Sequence, residues 1–107
     1  MPYRVHVSRR ASNDVTAIAV WISERSPDGA RKWLAALDAA LESLSENPTD
    51  YALAEEDHDI PELELRQFLF KTRRGRMYRG VFTVAGEEAR VLRIRGPGQK
   101  PLTLEDL

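Results

Sequence analysis

The side chains of this 107-residue chain that could do chemistry are mostly arginines, and they crowd its last third. Lys71, Arg73, Arg74 and Arg76 fall within one short segment, and Arg79, Arg93 and Arg95 follow. A guanidinium is a planar fork of donors that matches phosphate and carboxylate oxygens. Several held together can grip an anion, or stabilise charge that builds on one during a reaction. The overall charge hides this grouping, because the formal net charge is only −1. Residues 1–65 hold 6 Lys/Arg against 13 Asp/Glu, whereas residues 66–100 hold 10 against 2. A basic patch on a near-neutral chain gives an acidic or phosphate-rich partner somewhere to dock. The near-neutral total, taken alone, argues against a nucleic-acid or ribosome ligand.

Other reactive groups are few. With no cysteine there is no disulfide framework, no thiolate nucleophile and no cysteine-based metal site, which is compatible with a reducing cytoplasm. His6 either joins the basic face or is an ordinary, partly exposed histidine. His58 sits among Glu55, Glu56, Asp57 and Asp59, but no second histidine stands at ligand spacing, so the stretch reads as a flexible acidic loop. No metal and no cofactor is expected. Trp21 and Trp33 are either core packing or a hydrophobic anchor for a partner protein or a second copy.

The elements that must position these groups are legible from periodicity. The length suits one domain, residues 1–107. The opening MPYRVHVSRRA lacks the apolar core of a signal peptide, and no run is long enough to span a bilayer, so a soluble, unprocessed, cytoplasmic protein is expected. Residues 3–7 alternate as a short strand. Ser8 is placed to cap a helix whose apolar residues are Ala11, Val15, Ile18, Ala19 and Ile22, stopping near Arg25. Ser26-Pro27 starts a second helix, with Trp33, Leu34, Leu37, Leu41 and Leu44 as its stripe, running to about Ser45 before Asn47-Pro48. Residues 52–62 are acidic, contain a proline and lack periodicity, which reads as a loop. Strands are expected over 65–71, 77–84 and 89–95, with a basic turn at TRRGR and a hairpin turn at Ala85-Gly86-Glu87-Glu88. The order β-α-α-β-β-β describes an α+β fold, a helical hairpin packed on one face of a small, mainly antiparallel sheet. The other face is expected to be open to solvent.

Alternation then assigns faces. Tyr78, Phe82 and Val84 share one, and Met77, Arg79, Val81 and Thr83 the other. If Leu92 and Ile94 face the helices, Val91, Arg93 and Arg95 turn outward. Arg79, Arg93 and Arg95 are therefore expected on the open sheet face, beside Lys71, Arg73, Arg74 and Arg76 in the turn. The plainer reading is a solvated face with salt bridges at its rim.

Taken in order, YRVHVSRRASNDV, the helix ending LESLSENP, the Tyr78-Arg79 pair at the start of an apolar strand, and the closing VLRIRGPGQKPL resemble the RelE/ParE superfamily of toxins from bacterial type II toxin–antitoxin (plasmid stabilisation) systems. The resemblance covers most of the chain. It implies the same β-α-α-β-β-β fold, and growth inhibition restrained by a cognate antitoxin. RelE-like members cleave mRNA on the ribosome and ParE-like members poison DNA gyrase. For the first activity the resemblance assigns Arg79 to the charge that stabilises the phosphate, with Arg95 next and Lys71 and Arg74 as weaker helpers. Arg73, Arg76, Arg79, Arg93 and Arg95 would grip the target, and Trp21 and Trp33 the antitoxin.

The chain departs from the nuclease pattern at one point. RelE-like nucleases commonly place a Tyr or His just after the last strand, whereas this chain has Gly96-Pro97-Gly98-Gln99-Lys100 and no Tyr or His beyond. Arginine, with a pKa above about 12, is a poor general base. Three functions follow, in order of preference: a toxin that binds a protein such as gyrase without chemistry, a ribosome-dependent mRNA endoribonuclease, and a non-toxic member kept as an antitoxin-binding partner. A disordered antitoxin segment that folds on contact would supply acidic residues for the arginines and apolar ones for the hairpin.

Overall fold

The computed structural model describes residues 2–107. Its elements come in the expected order. Strand β1 spans Arg4–Val7, helix α1 Arg9–Ser23, helix α2 Pro27–Leu44, strand β2 Arg66–Phe70, strand β3 Tyr78–Ala85 and strand β4 Glu88–Arg95. Ser8 caps α1 by accepting a hydrogen bond from the Ala11 N–H at 3.1 Å. Its own hydroxyl donates to the Leu92 carbonyl at 3.0 Å, so one side chain both starts the helix and ties it to β4. Ser26 caps α2 in the same way through the Gly29 N–H at 2.9 Å, and Pro27 fills the first turn, where no donor is needed. Among the described residues, no helix is long and apolar enough to cross a membrane.

The four strands form one sheet in the order β1-β4-β3-β2. Among the described residues only the β1–β4 pair is parallel. A two-residue connection at Gly86-Glu87 joins β3 to β4, with Gly86 at φ +61°, a conformation glycine adopts without steric cost. The helical hairpin covers one face. Ala11, Trp33, Leu37 and Leu44 bury there against Phe68, Phe70, Phe82, Ala89, Val91 and Ile94. Gly80 is required under this layer, because a Cβ at that position would lie 2.1 Å from Phe68 Cζ.

Two expectations about faces are corrected. Val81 pairs with Arg93 while the next residue, Phe82, pairs with Val91, so Leu92 is an extra residue in β4. This bulge interrupts the alternation. Val91 and Ile94 both lie in the helix-side core, and Leu92 packs on the opposite side with Val81. Val91 therefore points inward and Leu92 away from the helices, the reverse of simple period-2 counting.

The second correction concerns the face expected to be open. It carries a smaller core of Ala54, Ile60, Leu65, Val81 and Leu102, with Leu63, Leu92 and Leu107 against it. Part of the acidic segment, Glu55–His58, is a 3-10 turn, and Leu53 bridges to Arg66 at the edge of β2. The segment folds because its few apolar residues have a sheet face to cover, and because Asp57 accepts the Leu65 N–H at 2.9 Å. The chain after β4 closes over the same face through Leu102 and Leu107.

Candidate functional site

The strand arginines do not form an open anion-binding face. Arg79, on the non-helical side of β3, forks onto Glu56: Nη1 donates to Oε1 at 2.9 Å and Nη2 to Oε2 at 2.5 Å. Gln67 Oε1 accepts from the same Nη1 at 3.3 Å, and Glu55 lies 3.7 Å from Nη2. Glu56 is only 1% exposed and also accepts the Leu102 N–H at 2.9 Å. Burial alone would raise its carboxyl pKa, but the Arg79 guanidinium and the Leu102 N–H hold it below the usual carboxylate range. Arg79 is correspondingly raised, first by its hydrogen bond to Glu56.

Arg93 makes a second such fork. Its Nε and Nη2 donate to Asp14 of α1 at 2.8 and 2.9 Å, and Nη1 donates to the Asp106 carbonyl at 2.8 Å. The hydrogen bond to Asp14 raises the pKa of Arg93. Arg95 stands opposite Arg79 in the ladder, with Nη2 donating to the Lys100 carbonyl at 2.6 Å. The physical reason is common to Arg79 and Arg93. The segments that cover this side of the sheet withdraw the Arg79 and Arg93 guanidinium groups from water, and a charge so placed needs a partner, whereas Arg95 meets only a carbonyl at the rim.

Among the described residues no histidine stands beside these arginines, and the nearest free carboxylate is exposed Glu55, 3.7 Å from Arg79 Nη2. His6 is exposed on β1, paired in register with Arg90, and β4 separates its strand from that of Arg79. Exposed His58 lies in the 3-10 turn. The Tyr78 ring packs edge-on against Trp33 at 5.4 Å between centroids. Glu56, bound on both oxygens and depressed in pKa, is a weak base.

The remaining cations lie elsewhere. Arg73, Arg74 and Arg76 are exposed in the turn between β2 and β3, and among the described residues neither they nor Lys71 form an ion pair. The turn forms one wall of a groove of about 570 Å³. The facing wall is the end of α1 and the start of α2, with Trp21, Ile22, Ser26, Asp28, Gly29, Lys32 and Trp33. Thr72, Gly75 and Tyr78 complete the lining. Trp21 is 53% exposed, with the Arg25 guanidinium 3.8 Å above its ring. Trp33 is a core residue, 2% exposed, packed against Phe70 and Tyr78, and is not presented at the surface as an anchor. Asp28, the acidic group of the lining, is paired with Arg31 at 2.8 Å and Lys32 at 3.0 Å.

The structure thus regroups the candidate residues. Arg79, Arg93 and Arg95 hold the fold together, whereas Arg73, Arg74 and Arg76 share a groove with Trp21. Sequence reasoning missed Glu56 and Asp14, the carboxylates that neutralise Arg79 and Arg93. A signal for the first was present: Ala54, Ile60, Leu63 and Leu65 interrupt the acidic stretch, and a fully solvated loop has no use for so many apolar residues.

Comparison with known proteins agrees with this architecture. Residues 5–101 match the family model described as the ParE toxin of type II toxin–antitoxin system, parDE. Toxin RelE1 of Caulobacter vibrioides is 43% identical over 49 residues, which make up 46% of this chain and 53% of that relative. The chain therefore matches about half the length of that curated relative. A solved chain from the chromosomal ParDE TA system of P. aeruginosa has the same fold, with a TM-score of 0.64 and 20% identity over 88% of this chain and 95% of its own. Since the family match runs from β1 past the end of β4, taking in both helices and every strand, the chain belongs to the ParE toxin family of type II toxin–antitoxin systems.

Proposed function

We propose that this protein is a growth-inhibiting toxin of the bacterial cytoplasm that acts by binding a protein target such as DNA gyrase, and that a cognate antitoxin neutralises it. The observation that carries this reading is the closed Arg79–Glu56 pair. Arg79 is the residue that would stabilise the phosphate in an RNA-cleaving relative, and here a buried carboxylate takes both ends of its fork. A phosphate arriving at Arg79 would have to displace Glu56 and leave that carboxylate buried without its cation, at a cost of several kcal/mol. With its fork already occupied by Glu56 and no histidine beside it among the described residues, Arg79 is poorly placed to support cleavage by attack of a ribose 2′-OH. Gripping a partner needs neither a free fork nor a histidine.

The test is to induce the chain alone in a bacterial host and follow growth, transcript integrity and DNA supercoiling together. Growth arrest with relaxed or broken DNA and intact early mRNA is expected. Rapid transcript cleavage before any change in DNA would overturn the reading in favour of a ribonuclease. Unaffected growth would leave a non-toxic antitoxin-binding partner.

A further inference from the structure

We infer that the groove between Trp21 and the 71–76 turn is a docking site for a short acidic peptide segment of a partner protein, one that carries a single aromatic or large aliphatic side chain among its carboxylates. The inference rests on the protein-binding mode of action, and it assigns that mode a place and a ligand chemistry. It joins two groups that are far apart in sequence. Trp21 lies in the last turn of the first helix and Arg73, Arg74 and Arg76 lie some fifty residues later, yet they line the two walls of one groove.

Charge is the first argument. Arg66, Arg79, Arg90 and Arg93 each meet a carboxylate within the fold. Arg73, Arg74 and Arg76 meet none among the described residues, although acidic groups are abundant elsewhere in the chain. This is an uncompensated cationic wall that complements an anionic ligand. Apolar surface is the second. Trp21 is half exposed, and Arg25 over its ring restrains it, so little side-chain freedom is left to lose on contact. A restrained tryptophan beside arginines has the composition of an interface hot spot. Trp33, in the same lining, has an Nε1–H that is buried without an acceptor, leaving an unmet donor under the groove.

Size and surroundings choose the peptide over a nucleic acid. About 570 Å³ takes a few side chains, as a compact ligand site does. A polynucleotide continues past such a site onto a chain whose residues 1–65 hold 6 Lys/Arg against 13 Asp/Glu. Repulsion there opposes a long polyanion. A short acidic segment ends before reaching it.

The test uses the full chain and a fluorescein-labelled peptide, acetyl-Glu-Asp-Leu-Phe-Glu-Asp-amide, followed by fluorescence anisotropy. Binding is expected to weaken about tenfold or more in the triple variant Arg73→Ser, Arg74→Ser, Arg76→Ser, and several-fold in Trp21→Ala. Replacing Phe by Ser in the peptide should weaken it several-fold, and added salt should weaken it further. All substituted protein residues are exposed, and urea unfolding of each variant checks that the fold is retained. Equal binding by the triple variant, or no binding up to about 1 mM peptide, would overturn the assignment. So would tighter binding of a deoxythymidine oligonucleotide, which would make the groove a nucleic-acid site. The anisotropy readout is independent of growth. A chain that binds the peptide but leaves growth untouched would defeat the toxin reading alone, and a toxic chain that ignores the peptide would defeat the groove alone.

Discussion

Glu56 shows how one residue can decide the character of a surface. Its carboxylate sits among apolar side chains on the second sheet face, holding Arg79 with both oxygens and the Leu102 N–H with one of them. Removing it in Glu56→Ala leaves a mostly buried guanidinium without a counter-charge, and the expected loss is roughly 3–5 kcal/mol in urea unfolding. Glu56→Gln keeps the shape and a hydrogen-bond acceptor, so a smaller loss is expected. The two variants also separate on pH. Because the folded carboxyl is depressed below its ordinary 4.5, its stabilising contribution is present above that value and is lost as pH falls through the folded pKa. The stability gap between the wild type and Glu56→Gln should therefore narrow as pH drops below about 4.5. A gap constant across that range would mean that the ion pair contributes nothing the neutral amide cannot supply. The apolar residues of the acidic segment signal that it is covered, but which glutamate is buried depends on a sheet face far along the chain.

At the scale of elements, two serines and one bulge set the geometry. Ser8 was legible as a helix cap, and Ser26-Pro27 as a helix start, because capping is local: a hydroxyl, three residues, one N–H. The second role of Ser8, donating to the Leu92 carbonyl, joins residues 84 apart and has no local signature. Ser8→Ala removes both contacts, and a loss of about 2 kcal/mol is expected, above the ~1 kcal/mol typical of a cap alone. Ser26→Ala, which has the cap hydrogen bond only, should stay near 1 kcal/mol. Equal losses for the two would mean that the tie to β4 is energetically silent. The bulge at Leu92 was invisible for a different reason. Strand counting assumes an unbroken period of 2, and one extra residue exchanges the faces of Val91 and Leu92 without changing the composition of the strand.

At the scale of the molecule, the sheet is covered on both sides, by the helical hairpin on one and by the acidic turn with the C-terminal tail on the other. The tail is held by Leu102 and Leu107 and by its carbonyls, which accept from Arg10 at 2.6 Å and from Arg93 and Arg95. Leu102 is 3% exposed, and Leu102→Ala is expected to cost about 3 kcal/mol by urea unfolding. An unchanged midpoint would mean that the tail rests on the sheet without contributing to the core. This double coverage also divides the positive charge. Arg79 and Arg93 become internal ties, and the turn cations remain available to a partner.

Element order, the Ser8 cap, the helix start at Ser26-Pro27, the hairpin turn and the concentration of arginine in the last third follow from the sequence alone. Each rests on local periodicity, on a capping hydroxyl or on simple charge counting, and these need only neighbouring residues. Which arginines are free to act was decided by the tertiary structure. Arg79 and Arg73 are six residues apart and chemically identical. One meets Glu56 across the sheet and the other faces a groove beside Trp21, because only the folded chain brings a carboxylate to the first and an open wall to the second.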